Sequence, residues 1–162
     1  MGWPLGIYSR MMIGMKQLDF LASDRLIETP TLRYTKGYKY QSRNAMVYQT
    51  TVFPPEDINT PLISLRRDGW LWVSPYFSWD GCSGIAWDDH TNMRAGQAHD
   101  ALYALIRMGL LPLSYRVACD ATLKRLMVDD GALYCRASYY EWAVNCFGRG
   151  PATTQRKVYE VP

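Results

Sequence analysis

Histidine is scarce in this chain, with only His90 and His99 among 162 residues. The four cysteines, Cys82, Cys119, Cys135 and Cys146, include no CxxC pair. That excludes a disulfide-built scaffold, and no ligand spacing supports a zinc site from His90, His99 and the cysteines. A thiol-containing protein made in a reducing cytoplasm is the expectation. Charge of one sign is also lacking. Eighteen Lys+Arg against 15 Asp+Glu leave a net +3, too balanced for a specific nucleic-acid binder. Apolar runs are short. A stretch such as Ala101–Ile106 is soon broken by charge, far from the ~20 residues that a membrane span needs. No Gly-x-Ser-x-Gly elbow surrounds Ser83, which argues against a Ser83–His99–Asp120 nucleophilic triad. There is no internal repeat, and neither a signal-peptide nor a myristoylation pattern is read at the start.

Apolar and aromatic residues, in contrast, are plentiful, at 48% and 14%, enough for a buried core. The first half reads as β. Tyr38–Tyr40, Ala45–Phe53, Leu62–Leu65 and Gly69–Val73 are aromatic or β-branched. Asp68-Gly69 between two such runs signals a hairpin. The second half reads as helical. Ala98, Leu102, Leu105 and Ile106 form one stripe within 92–108, stopped by Gly109 and Pro112. Ser114 is expected to cap a second helix that runs to Asp130, with Gly131 as its stop. A third helix over about 134–147 ends at Gly148. The expected fold is α+β: a small antiparallel sheet from the N-terminal half, then a helical hairpin and a third helix. Residues 1–29 read as an apolar, Met-rich arm, 30–148 as one domain, and 149–162 as an extended tail.

One constellation stands out. His99 lies mid-helix with Tyr103 one turn on, on the same face. The next helix returns antiparallel and carries Asp120 back toward His99. The two differ by roughly 6 Å in height at ~1.5 Å per residue, so an early helix end or a splayed pair is needed for contact. A carboxylate on one imidazole nitrogen leaves the other as a base. Asp100 and Asp80, with the Gly81 and Cys82 carbonyls, offer hard oxygens that suit Ca²⁺ better than Zn²⁺. Cys119, beside Asp120, is expected to have a raised thiol pKa and little reactivity. Arg33, Lys36, Lys39 and Arg43, interleaved with Tyr34, Tyr38 and Tyr40, read as a solvated strand face or a protein-contact surface, with nucleic acid or lipid headgroups as the alternative.

His99-Asp100-x-x-Tyr103 with the later Asp120 resembles the active site of phospholipase A2, closest to its small bacterial and fungal branch, with Trp79-Asp80-Gly81-Cys82-Ser83 as the preceding loop. The resemblance implies His99 as base, Asp120 as its orienter with Tyr103 bonded to it, and Asp80, Gly81, Cys82 and Asp100 around calcium. The chain departs from that family in lacking a cysteine just before His99 and in having Ala101-Leu102 after the His-Asp pair. A second likeness covers about residues 30–160, through Tyr76-Phe77-Ser78-Trp79-Asp80-Gly81-Cys82-Ser83-Gly84, Met93-Arg94, His99-Asp100-Ala101-Leu102-Tyr103, Arg116-x-x-x-Asp120, Arg136-Ala137 and Phe147-Gly148. It is similar to a family of small tailed-bacteriophage and prophage proteins catalogued as a domain of unknown function. That implies a phage origin and no particular activity; the first expectation is a protein made in the host cytoplasm and built into the virion, near the tail or neck. The arm, residues 1–20 above all, would dock on other phage structural proteins. The alternative expectation is a calcium-dependent hydrolase that acts on phospholipid of the host envelope.

Overall fold

The computed structural model describes the backbone of residues 34–36 and, with side chains, residues 40–81 and 89–153. The expected N-terminal arm, Arg33, Tyr38 and Lys39 of the basic strip, Cys82 and the end of the expected tail lie outside these residues.

The β half divides into two antiparallel sheets rather than the one expected. Strands β1 (Tyr34–Lys36), β2 (Tyr40–Ser42) and β7 (Ser78–Trp79) form one, in the order β1-β2-β7. Strands β3 (Met46–Gln49), β4 (Ile58–Asn59), β5 (Ile63–Leu65) and β6 (Trp70–Val73) form the other, in the order β3-β6-β5-β4. The split is made at Ser42, which is fully buried. Its N–H donates to the Phe77 carbonyl at 3.1 Å and its carbonyl accepts the Tyr76 N–H at 2.7 Å. The chain thus passes from β6 through a tight bend at Tyr76 (φ 69°) into β7, on the second sheet. That bend delivers Trp79 and Asp80 to the helices.

The larger sheet is buried on both faces, so its strands do not alternate apolar with polar. Met46, Tyr48, Ile63, Leu65, Leu71 and Val73 point to the main core, while Val47, Ser64 and Trp72, paired across the strands, are buried on the other face. The expected hairpin is present. Residues 66–69 join β5 to β6, with the Arg66 N–H on the Trp70 carbonyl and the Gly69 N–H on the Arg66 carbonyl.

Helix α1 (Met93–Arg107) is the central element. Twelve of its 15 residues are buried, as for a helix covered on nearly all sides. Helix α2 (Arg116–Asp129) and helix α3 (Tyr134–Phe147) follow it. Ser114 does not cap α2. It lies in a 3₁₀ turn, Leu113–Tyr115, that runs straight into the helix, so Tyr115 takes the cap position without a side-chain bond. The chain does not become extended after Gly148 either. Arg149–Thr153 forms a short helix, α4, whose Ala152 is fully buried and whose Pro151 carbonyl accepts Arg107 Nη1 at 3.0 Å. No helix among the described residues is long and apolar enough to cross a membrane.

The sheets and helices are joined by polar hooks as well as by core packing. Thr51 Oγ1 donates to the Ala118 carbonyl at 2.7 Å and lies 2.8 Å from Thr122 Oγ1. The hairpin end is held by Gly69, whose carbonyl accepts both the N–H and the hydroxyl of Thr50, at 2.8 and 2.7 Å. Gly69 has φ +86°, and a Cβ there would stand 2.9 Å from the Phe53 ring and 3.1 Å from the Thr50 carbonyl oxygen. Gly69→Ala is therefore expected to cost about 2 kcal/mol, from the left-handed backbone and the contact together. Denaturant unfolding should show a lower midpoint at unchanged slope.

Candidate active site

Asp120 is 0% exposed, and a buried carboxylate has to be matched by donors. It has three. Its Oδ1 lies 2.9 Å from His99 Nε2 and accepts the Tyr103 hydroxyl at 2.7 Å, and its Oδ2 accepts Arg116 Nη1 at 3.0 Å. The expected height difference between His99 and Asp120 is absorbed in a simple way. Tyr103 sits one turn below His99, and a single carboxylate oxygen reaches both. Their rings pack at 4.1 Å between centroids, tilted by 40°, with the imidazole Nε2 and the phenol oxygen on the same carboxylate oxygen.

The orientation of the imidazole follows. Nε2 faces the carboxylate and carries the proton, so in the neutral ring Nδ1 holds the lone pair. Nδ1 lies 3.9 Å from Asp100 Oδ1, too far for a hydrogen bond. Asp100 in turn accepts the Asp80 N–H on Oδ2 at 2.9 Å, which ties the end of β7 to α1. Burial on its own would lower the His99 pKa. The Asp100 and Asp120 carboxylates outweigh it, and the net shift is upward from 6.5. Burial and the Asp120 contact push the Tyr103 hydroxyl up as well, so it stays a donor. The Cys119 thiol, buried and next to Asp120, is pushed up to about 12. It is a core residue, not a nucleophile.

His99, Tyr103 and Asp120 are thus brought together as the sequence suggests. Asp100 and Asp80 meet through a backbone amide rather than through their carboxylates, and Cys82 lies outside the described residues. No group of three His, Cys, Asp or Glu side chains placed for a metal occurs among the described residues. Among the described residues, Asp100 places a hard oxygen donor 3.9 Å from the imidazole Nδ1. It fits calcium in kind, since Ca²⁺ takes six to eight oxygens that include carbonyls.

Two residues that the sequence offers only as motif members, without a role in the site, contribute to it. Arg116 bonds Asp120 and also donates to the Val144 carbonyl of α3 at 3.1 Å. Its i, i+4 spacing to Asp120 was the available signal. Gly148 lies so close to the site that a Cβ there would fall against the Tyr103 hydroxyl and the Val144 carbonyl. Nearby, the stretch before α1 is fixed to α3. Asp89 pairs with Arg136, and its pKa is held at about 2, first by the Thr91 hydroxyl and then by Arg136. Arg136 also reaches the Tyr140 hydroxyl.

Compared with protein-family models, with curated proteins and with solved structures, the chain finds no match.

Because the folded-state pKa of His99 is raised, its charged form stabilises the fold below about pH 6.5, and this contribution is lost as pH rises through the raised value. Asp120→Asn should remove the carboxylate that holds Nε2 and Arg116. The expected loss is roughly 3–5 kcal/mol of stability, and the His99 pKa, followed by NMR, should fall below that of the parent protein.

Proposed function

We propose that this chain is a small protein of a tailed bacteriophage whose His99 cluster is a general-base site for hydrolysis of an ester in host-envelope phospholipid. The observation that carries the reading is the asymmetry of the imidazole. Nε2 is bound to Asp120 at 2.9 Å, while Nδ1 has no hydrogen bond to that carboxylate and faces Asp100 at 3.9 Å. That is the arrangement a base needs: one nitrogen fixed, the other available. Nδ1 would take a proton from water as the water oxygen attacks the ester carbonyl. The same proton would then pass to the leaving alkoxide, yielding a fatty acid and a lysophospholipid. Asp120 would orient His99 and stabilise the imidazolium, with Tyr103 and Arg116 holding Asp120 in place. Asp100 and Asp80, with the Gly81 and Cys82 carbonyls, would hold calcium, which when bound supplies positive charge against the developing oxyanion. A site with so few carboxylates would match the ~10⁻⁴–10⁻³ M affinities of extracellular calcium modules, so it would be silent in the producing cytoplasm.

A second reading has its own support. His99 is only 7% exposed and Asp120 is clamped by an arginine. The same network would serve as a purely structural hub in a virion component near the tail or neck, docked on a neighbouring phage protein through residues 1–20.

Fatty-acid release from mixed phospholipid micelles, with calcium and with EGTA, separates the two. The hydrolase reading expects calcium-dependent release that drops roughly 10²–10⁴-fold in His99→Gln. Its rate should rise with pH through the raised His99 pKa, because the base must be neutral. Asp100→Asn should raise the calcium requirement while leaving the fold intact. No release from folded protein at millimolar calcium would sink the enzyme and leave the hub.

A further inference from the structure

We infer that α3 is a self-association surface, and that two copies of this chain pair through it as antiparallel helices about a twofold axis. Helix α3 packs inward with Ala137, Tyr140 and Val144. Directly opposite, Cys135, Tyr139, Trp142 and Cys146 follow an i, i+4, i+7, i+11 spacing, which places all four within roughly 60° of the helix circumference. This outer row faces solvent. Tyr139 is 44% and Trp142 56% exposed, flanked by Tyr134 at 68% and Phe147 at 66%, and both cysteines are exposed. The rings are already arranged against one another, with Tyr139–Trp142 centroids at 5.9 Å and Trp142–Phe147 at 6.3 Å. A continuous exposed aromatic row of this kind marks a contact site.

The order of the row points to a second copy rather than a foreign partner. Read from the point between Tyr140 and Glu141, it is nearly the same in both directions. Tyr139 mirrors Trp142, Cys135 mirrors Cys146, and Tyr134 mirrors Phe147. A twofold interface needs this property, because residue i must meet j while j meets i. A lipid surface or an unrelated protein imposes no such mirror. Charge agrees. The flanking Glu141 is bonded to Lys124 at 2.9 Å and Arg136 to Asp89, so no charge stands within the row to oppose its own copy. Full coverage of the Tyr139 and Trp142 rings and of the flanking Tyr134, which lies under Lys124 Nζ at 4.6 Å, and Phe147 would bury at most on the order of 1,000 Å² for two copies, at ~150–250 Å² per aromatic side chain, the lower bound of a specific interface. At the ~8–10 Å spacing of packed helices, opposed Cys135 and Cys146 come within disulfide reach.

The test uses the full chain carrying Cys82→Ser. Under reductant, light scattering should give twice the 18.6 kDa chain mass, and Trp142→Glu, at an exposed position, should weaken dimerisation roughly 30-fold with an unchanged circular dichroism spectrum. On mild oxidation the parent should form a covalent dimer. Neither Cys135→Ser nor Cys146→Ser should do so alone, and an equimolar mixture of the two should. A monomer at 100-micromolar order overturns the inference, whether or not Trp142 fluorescence then shifts on anionic phospholipid vesicles. So does cross-linking of either single variant with itself, which would mean a parallel or unrelated contact, and so does a dimer whose mixed variants fail to cross-link.

Discussion

The buried Asp120 carboxylate is the constraint on which the helical half is arranged. An unpaired carboxylate at full burial is not tolerated, so each of its donors has to be held in place, and each is held by a different packing decision. His99 and Tyr103 are positioned by the all-round burial of α1. Arg116 is positioned by the 3₁₀ turn that starts α2 without a break. The same guanidinium takes the Val144 carbonyl, so α3 is tied to the charge as well. Three helices therefore depend on one side chain. That dependence explains the close approach of Gly148, where any Cβ would push Tyr103 off the carboxylate.

Such a network would serve stability and the proposed chemistry through different atoms. Stability needs Asp120 saturated, and three donors achieve that. Chemistry needs one imidazole nitrogen unsaturated, and the geometry leaves Nδ1 outside bonding distance of Asp100. Two carboxylates on opposite sides of the ring raise its pKa against the effect of burial. The second carboxylate, 3.9 Å from the other nitrogen and anchored by the Asp80 amide, is the feature on which the proposal of a base rests.

Much of this was legible in the chain itself, for identifiable reasons. The Asp68-Gly69 hairpin rests on a local backbone demand, and the α1 stripe on a period of 3.6, and both survive in the fold. The His99–Tyr103–Asp120 meeting follows from helix spacing and an antiparallel return. The rest depended on long-range contacts. Ser114 lost its capping role because the turn before α2 wound into 3₁₀ geometry. The residues after Gly148 became helical because Ala152 has a buried place to occupy and Arg107 a carbonyl to reach. The β half became two sheets because Ser42 bonds across to the Tyr76–Phe77 bend, a contact over more than 30 residues that no local pattern announces.

Helix α3 shows how one periodic pattern can serve two surfaces. Its inner row is mostly small, with Ala137 and Val144 beside one ring, Tyr140, so it can lie close enough to α2 for Arg116 to bond its backbone. Its outer row is aromatic and would be costly to leave in water. In the sequence the two rows overlap into a helix that is apolar on both sides, and periodicity alone does not reveal which side faces in. The carbonyl of Val144 settles it: the side that meets Arg116 is the inner one, and the aromatic row is thereby turned outward. Contact through that outer row would press on the same helix that closes the Asp120 network. The Val144 carbonyl that Arg116 takes is the point at which such contact would meet the network.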